Sequence, residues 1–104
     1  MANSWGIPSD VEKLVIARDK KCVYCGVDFS IIHESRKTKP TWENIINDIR
    51  INGVENIALC CCSCNASKGA KQLEAWLNSK YCISKGITIY TVALVVKQNL
   101  ENNK

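Results

Sequence analysis

Apolar positions at the start of the chain recur with the spacing of a helix. Val11, Leu14 and Val15 share one helical face. We therefore predict a helix over about residues 9–20, which an S-x-x-E capping box starting at Ser9 would begin.

Two later segments have the composition of β-strands. TWENII at 41–46 and NIALC at 56–60 are rich in aromatic and β-branched or other apolar residues. The sequence Ile51-Asn52-Gly53 between them is typical of a loop or turn. The pattern predicts two short strands joined by this loop.

The second half of the chain is predicted to be helical. A short helix over about 64–71, which Gly69 would interrupt, is followed by two apolar stripes at helical spacing. We expect both stripes to pack in the core as parts of C-terminal helices over about 71–100. The stripes are Leu73, Trp76, Leu77 and Tyr81, and then Ile89, Val92, Ala93, Val96 and Leu100.

Size and composition limit the class of protein. The chain has 104 residues, and we expect a single α+β domain over 1–104, because two domains would each be too small to bury a core. No apolar run is long enough to span a bilayer, and the first residues lack the pattern of a signal peptide, so a cytoplasmic protein without a membrane partner is expected. The net charge of +4 suits a polyanionic partner but also fits many other proteins.

The seven cysteines are unusual for an intracellular chain of this length. Four of them form two C-x-x-C pairs, Cys22/Cys25 and Cys61/Cys64, and two such turns can complete a tetrahedron around a structural Zn²⁺. Unliganded buried thiols and a redox C-x-x-C are the alternatives. Three cysteines remain, which we expect to be small buried residues: Cys60, Cys62 and Cys82.

Several motifs follow one another over about residues 20–70. They are Cys22-x-x-Cys25, Trp42-Glu43-Asn44-Ile45, Asn56-Ile57-Ala58-Leu59 and Cys61-x-x-Cys64-Asn65-x-x-Lys68-Gly69. This combination resembles the HNH endonucleases, the ββα-metal or His-Me finger nucleases with zinc knuckles. The resemblance implies a ββα-metal core with flanking helices and metal-dependent hydrolysis of DNA phosphodiesters, of a restriction or phage type.

The resemblance also implies roles for individual residues. Glu43 and Asn65 would bind a catalytic divalent ion, Mg²⁺ or a substitute such as Mn²⁺ or Ca²⁺. Asn56 would orient the catalytic residue or shape the loop, and Lys68 would hold a phosphate oxygen. Simpler alternatives are a solvated strand residue for Glu43, a turn for Asn56, a helix cap for Asn65 and a surface charge for Lys68.

Basic residues near the motifs would contact double-stranded DNA. The alternative is that they are solvated loop charges. Because cutting both strands with one site per chain usually requires two copies, we expect a homodimer. The basic residues concerned are Arg36, Lys37, Lys39 and Lys71.

The chain departs from the family pattern at Asn44, where the family has the general-base histidine. A carboxamide cannot take a proton from water as an imidazole can, and general-base catalysis is worth about 10²–10⁴-fold. The chain is therefore expected to be an impaired nuclease. Either Asn44 replaces a natural histidine so that uncleaved DNA is trapped, or the protein uses another base.

His33, the only histidine, is a candidate for that base, although the motif does not support it. It could also replace a cysteine as a metal ligand, contact phosphate or simply lie on a loop. Two other functions compete with the nuclease: a non-catalytic zinc-dependent DNA-binding module and a thiol redox protein.

Overall fold

The computed structural model describes residues 6–31, 36–48 and 50–102, so His33 lies outside the described residues. Within these ranges the chain forms a small α+β fold, as predicted, with a two-stranded antiparallel sheet and five α-helices. The strands are β1 (Pro40–Asn44) and β2 (Ile57–Cys61). The helices are α1 (Ser9–Arg18), α2 (Cys62–Lys68), α3 (Leu73–Leu77), α4 (Lys80–Lys85) and α5 (Leu94–Asn102), and a 3-10 turn covers Arg36–Thr38.

The β-hairpin lies between two hydrophobic clusters. Side chains alternate between the faces of a strand, so Trp42 packs with Val15 and Leu59 on one face. Ala58, which pairs with Glu43, packs on the other face with Tyr24. Both faces are covered, which explains why every residue of β2 is buried.

Helix α2 follows β2 without a loop and packs against both strands. The Sγ of Cys61 accepts a hydrogen bond from the backbone N–H of Cys64 (3.4 Å) and so caps the helix. The helix ends at Lys68, before the predicted residue 71, and is followed by Gly69, whose φ of +51° favours glycine. Helix α2 begins at Cys62, two residues before its predicted start at Cys64.

The predicted capping box at the start of α1 is wrong. Ser9 is the first helical residue, Pro8 precedes the helix, and no side chain caps it; the N–H of Glu12 bonds to the Pro8 carbonyl (3.0 Å). Leu14 lies outside the buried stripe, with 58% of its surface exposed. The helix ends at Arg18, before the predicted residue 20.

The first C-terminal stripe belongs to two helices. Its break falls at Ser79, whose hydroxyl accepts a hydrogen bond from the Cys82 N–H (3.3 Å) and starts α4. In the second stripe, Ile89 precedes α5 and is 49% exposed, because that helix begins only at Leu94. In the described part of the chain, no helix combines the length and apolar character needed to cross a membrane.

The three cysteines outside the C-x-x-C pairs differ from one another. Cys60 and Cys82 are buried, as predicted for small core residues. Cys62 is exposed, contrary to the prediction, because it lies in the first turn of α2 and points away from the cluster of buried residues.

Candidate functional site

The four cysteines of the two C-x-x-C pairs meet in one cluster, with their Sγ atoms all within 4.8 Å of one another. The Sγ atoms of Cys25 and Cys61 are 3.7 Å apart. A tetrahedral site with metal–sulfur bonds of about 2.3 Å has sulfur–sulfur edges of about 3.8 Å. The spacing of the thiols therefore matches a tetrahedral metal site.

Local backbone geometry holds these thiols in place. The first turn closes at Gly26, whose φ of +80° favours glycine and whose N–H bonds to the Cys22 carbonyl (3.0 Å). The N–H groups of Tyr24 and Cys25 both donate to the Cys22 Sγ at 3.4 Å. Hydrogen bonds of this kind favour the thiolate form that binds metals.

The thiols of the cluster also perturb one another. Hydrogen bonding to Cys22 lowers the pKa of Cys25, whereas hydrogen bonding to Cys22 and Cys25 raises the pKa of Cys64. Thiolates this close repel one another, so full ionisation of the cluster is unfavourable without a compensating positive charge. A dication between them would remove that repulsion, so the cluster fits a structural metal such as zinc.

A second polar group is buried beside β1. The Glu43 Oε2 accepts a hydrogen bond from the Tyr24 hydroxyl (2.7 Å) and lies 3.1 Å from the Lys68 Nζ. Only 6% of the Glu43 side chain and 1% of the Lys68 side chain are exposed. Burial raises the pKa of Glu43, while Lys68 and Tyr24 act in the opposite direction. Neither Glu43 nor Lys68 is the solvated charge of the simpler alternatives.

Asn65 connects α2 to the same strand. Its Nδ2 donates to the Thr41 Oγ1 and to the Trp42 carbonyl, both at 3.0 Å. The residue lies inside α2, so it is not a helix cap. Because the amide nitrogen is used for these bonds, the oxygen Oδ1 is the atom suited to bind a ligand. Both α2 residues thus contact β1, Asn65 at Thr41 and Trp42 and Lys68 at Glu43.

Asn44 faces the loop that joins the two strands. Its Nδ2 lies 3.3 Å from the Asp48 carbonyl and 3.5 Å from that of Ile51. Asn56 closes the same loop, since its side chain accepts from the Ile46 N–H (2.6 Å) and donates to the carbonyls of Ile46 and Ile51 (3.1 and 2.9 Å). These are the hydrogen bonds of a residue that shapes the loop next to position 44.

The predicted DNA-contacting residues lie near both ends of α2. The 3-10 turn packs against α2, and the Lys39 carbonyl accepts from the Cys62 N–H (2.9 Å). Lys71 follows α2, with its Nζ 3.0 Å from the Ser67 carbonyl. All four basic side chains are exposed: Arg36, Lys37, Lys39 and Lys71.

An apolar groove of about 860 Å³ lies in another part of the molecule. It is formed between α3, α4 and α5 by residues such as Leu77, Ile87 and Leu100. The residues that line it include none of the predicted site residues. The predicted site residues therefore lie outside this groove.

The residue beside Glu43 that sequence reasoning missed is Tyr24, whose hydroxyl bonds to that carboxylate. Its position between two cysteines of the cluster was the only feature of the sequence that pointed to it, because its partner Glu43 is distant in the chain.

No protein-family model, curated protein or solved structure matches this chain. Its function must therefore be inferred from these side chains and from the sequence resemblance.

Proposed function

We propose that this chain is an HNH-type, metal-dependent DNA endonuclease domain that is impaired in its present form by Asn44. One observation carries the proposal: Asn65 and Lys68 of α2 both contact β1 around Glu43. The sequence resemblance assigned these positions to one site from separate motifs. The hairpin, α2 and the four-cysteine cluster support the same ββα-metal core.

The oxygen donors at this site have the chemistry that a hard divalent ion requires. A Mg²⁺ ion held by the Glu43 carboxylate and the Asn65 amide oxygen would offset the negative charge that develops on the attacked phosphate. Within the described ranges, three or more His, Cys, Asp or Glu side chains gather in ligand geometry only at the four-cysteine cluster. The catalytic site would therefore depend on water and on the DNA phosphate for its remaining oxygen ligands.

Lys68 has a different role in this proposal from the predicted phosphate contact. Its ammonium group is buried against Glu43 and lies 3.5 Å from the Asn44 carbonyl. A positive charge in this place keeps a buried carboxylate ionised, which is the form that can bind a cation. We therefore assign Lys68 to the support of Glu43.

Hydrolysis also needs a group that accepts a proton. Water attacks phosphorus, the bond to the leaving oxygen breaks, and a base takes the proton of the water. Asn44, whose side chain faces the loop 45–56, cannot supply this base. Exposed basic residues around α2 would hold the duplex, and a homodimer would cut both strands.

The test is the substitution Asn44→His, assayed on supercoiled plasmid with Mg²⁺ or Mn²⁺. We expect nicking to increase by about 10²–10⁴-fold, the usual worth of a general base. The matched control is Asn47→His, which adds the same side chain at an exposed position of the same loop. Equal nicking by the unsubstituted protein and the Asn44→His variant would refute the proposal for position 44.

A non-catalytic zinc-dependent DNA-binding module is the second candidate. It is favoured by the Asn44 carboxamide and by the ion pair that already neutralises Glu43. The same assay separates the two functions. DNA binding without nicking by the Asn44→His variant would support the binding module.

A further inference from the structure

Tyr24 lies between Cys22 and Cys25 in the sequence and is 1% exposed. Its ring packs edge-on against Trp76, with the centroids 4.8 Å apart and the planes at 70°. Its hydroxyl donates to the Glu43 Oε2 at 2.7 Å. The same residue therefore touches the four-cysteine cluster through its backbone and the candidate catalytic carboxylate through its side chain.

We propose that Tyr24 is a positioning residue that links the four-cysteine cluster to Glu43. The inference rests on the proposed function, in which Glu43 is a ligand of the catalytic ion. The turn of the cluster fixes the backbone of Tyr24, since the Tyr24 N–H also donates to the Cys22 Sγ at 3.4 Å. The hydroxyl then fixes the orientation of the Glu43 carboxylate.

The surroundings of Tyr24 leave its hydroxyl little freedom. Trp76, which packs against the ring, donates from its Nε1 to the Ser67 Oγ on α2 (3.0 Å). The backbone of Val23 bonds to the Leu59 carbonyl of β2 (3.2 Å). Tyr24 is thus held by β2, by α2 and by the cysteine turn at once.

Loss of the hydroxyl would remove the 2.7 Å hydrogen bond to the Glu43 Oε2 and leave Lys68 at 3.1 Å from the same oxygen. Groups that orient a metal ligand in this way typically change metal affinity or activity by roughly 10–100-fold when removed. We expect Tyr24→Phe to have an effect of this size. The four cysteine ligands are unchanged by the substitution.

The experiment uses the zinc-loaded Asn44→His protein and compares it with the same protein carrying Tyr24→Phe. Mn²⁺ affinity is measured by electron paramagnetic resonance. The reference for binding that does not involve Glu43 is the double variant Glu43→Gln with Lys68→Met, which leaves no unpaired buried charge. We expect the Mn²⁺ Kd to rise roughly 10–100-fold and kcat for plasmid nicking to fall in the same range, with KM unchanged. The zinc content stays at the parental value.

The matched control is Tyr81→Phe. It also removes a tyrosine hydroxyl next to the cysteine cluster, because the Tyr81 hydroxyl lies 3.3 Å from the Cys64 Sγ and 2.9 Å from the Ser63 Oγ. This hydroxyl bonds to the cysteine cluster and to α2 instead of to Glu43. Zinc content is measured on the same sample, and we expect Tyr81→Phe protein that holds the parental amount of zinc to keep the parental Mn²⁺ Kd.

The outcomes distinguish this inference from the proposed function. If the parent binds Mn²⁺ through Glu43 and Tyr24→Phe leaves both Kd and kcat unchanged, the link is refuted and the nuclease proposal stands. A merely structural tyrosine would lower the unfolding midpoint without changing the Mn²⁺ Kd of the folded protein, which also refutes the link. If the parent shows neither Glu43-dependent Mn²⁺ binding nor nicking, the proposed function fails and the link fails with it.

Discussion

The buried ion pair between Lys68 and Glu43 allows a quantitative prediction about stability. The charged atoms are 3.1 Å apart, and the two side chains are 1% and 6% exposed. Removing one partner of such a pair typically costs roughly 3–5 kcal/mol, because the other charge stays buried without compensation. That cost is a large part of the about 5–15 kcal/mol that stabilises an average domain.

The two single substitutions should differ in cost. Lys68→Met leaves Glu43 with its Tyr24 hydrogen bond, and the carboxyl can also take up a proton, so we expect a loss of about 3 kcal/mol. Glu43→Gln leaves the Lys68 ammonium buried with the Asn44 carbonyl at 3.5 Å, so we expect a loss of about 5 kcal/mol. The double substitution should cost only about 1–2 kcal/mol, because no unpaired charge remains.

The sign of the pH dependence follows from the pKa of Glu43. Burial raises the pKa of this carboxyl in the folded chain above its ordinary value, so the folded chain binds the proton more tightly than the unfolded chain does. The Lys68 charge opposes this rise, so the pKa of Glu43 is higher still in the Lys68→Met variant. The cost of Lys68→Met should therefore decrease as the pH is lowered from neutral towards the folded-state pKa.

The assay is urea unfolding followed by tryptophan fluorescence at a fixed excess of zinc, since free metal changes the apparent stability. Lys71→Met is the matched control, because Lys71 is an exposed lysine just beyond α2, and we expect a change within about 0.5 kcal/mol. Additive losses in the double variant, or a loss below about 1 kcal/mol for Lys68→Met, would show that the pair is not buried as described.

The remaining predictions concern zinc and DNA. The purified protein should contain one zinc per chain. It should lose its tertiary structure when a chelator removes the zinc, because metal binding to such sites is coupled to folding. The Cys61→Ser variant should lose the metal, whereas Cys62→Ser, at an exposed cysteine, should keep it. Metal-free protein that is fully folded would contradict this and favour the thiol redox alternative. For DNA, Arg36→Gln and Lys39→Gln should each reduce the slope of log K against log salt by about 1, while Lys13→Gln on α1 leaves it unchanged. An unchanged slope in both the Arg36→Gln and the Lys39→Gln variant would show that these two residues do not contact DNA phosphates.

The features that could be predicted from the sequence are those that depend on local spacing. The two C-x-x-C pairs correctly predicted one cluster, because each turn brings its own two sulfurs together and only one cluster can satisfy both. The strand pair also followed from local composition, although β1 ends at Asn44 rather than at Ile46.

Features that depend on tertiary contacts could not be predicted. Pro8 precedes α1 in place of the expected cap at Ser9, and the hydroxyl of Ser79 divides one apolar stripe into two helices. Burial of Lys68 required a partner from β1, which helical spacing on α2 alone does not specify. For the same reason, no local pattern indicated that Tyr24 bonds to Glu43.

The position of the ion pair helps to choose between the two candidate functions. A buried carboxylate and ammonium usually stabilise a fold no better than apolar side chains of similar volume, because both charges lose their hydration. A module that only needed to fold and hold DNA phosphates would place its lysines in solvent, as this chain does with Lys37 and Lys39. Glu43 instead lies in a low-dielectric site, where Tyr24 orients its carboxylate. The Lys68 ammonium keeps that carboxylate ionised but also repels a cation, so an ion binds there only if its attraction to the carboxylate exceeds this repulsion. The fold gains little from this arrangement, whereas a metal-dependent site gains an oriented, ionised ligand, and for this reason we favour the nuclease over the binding module.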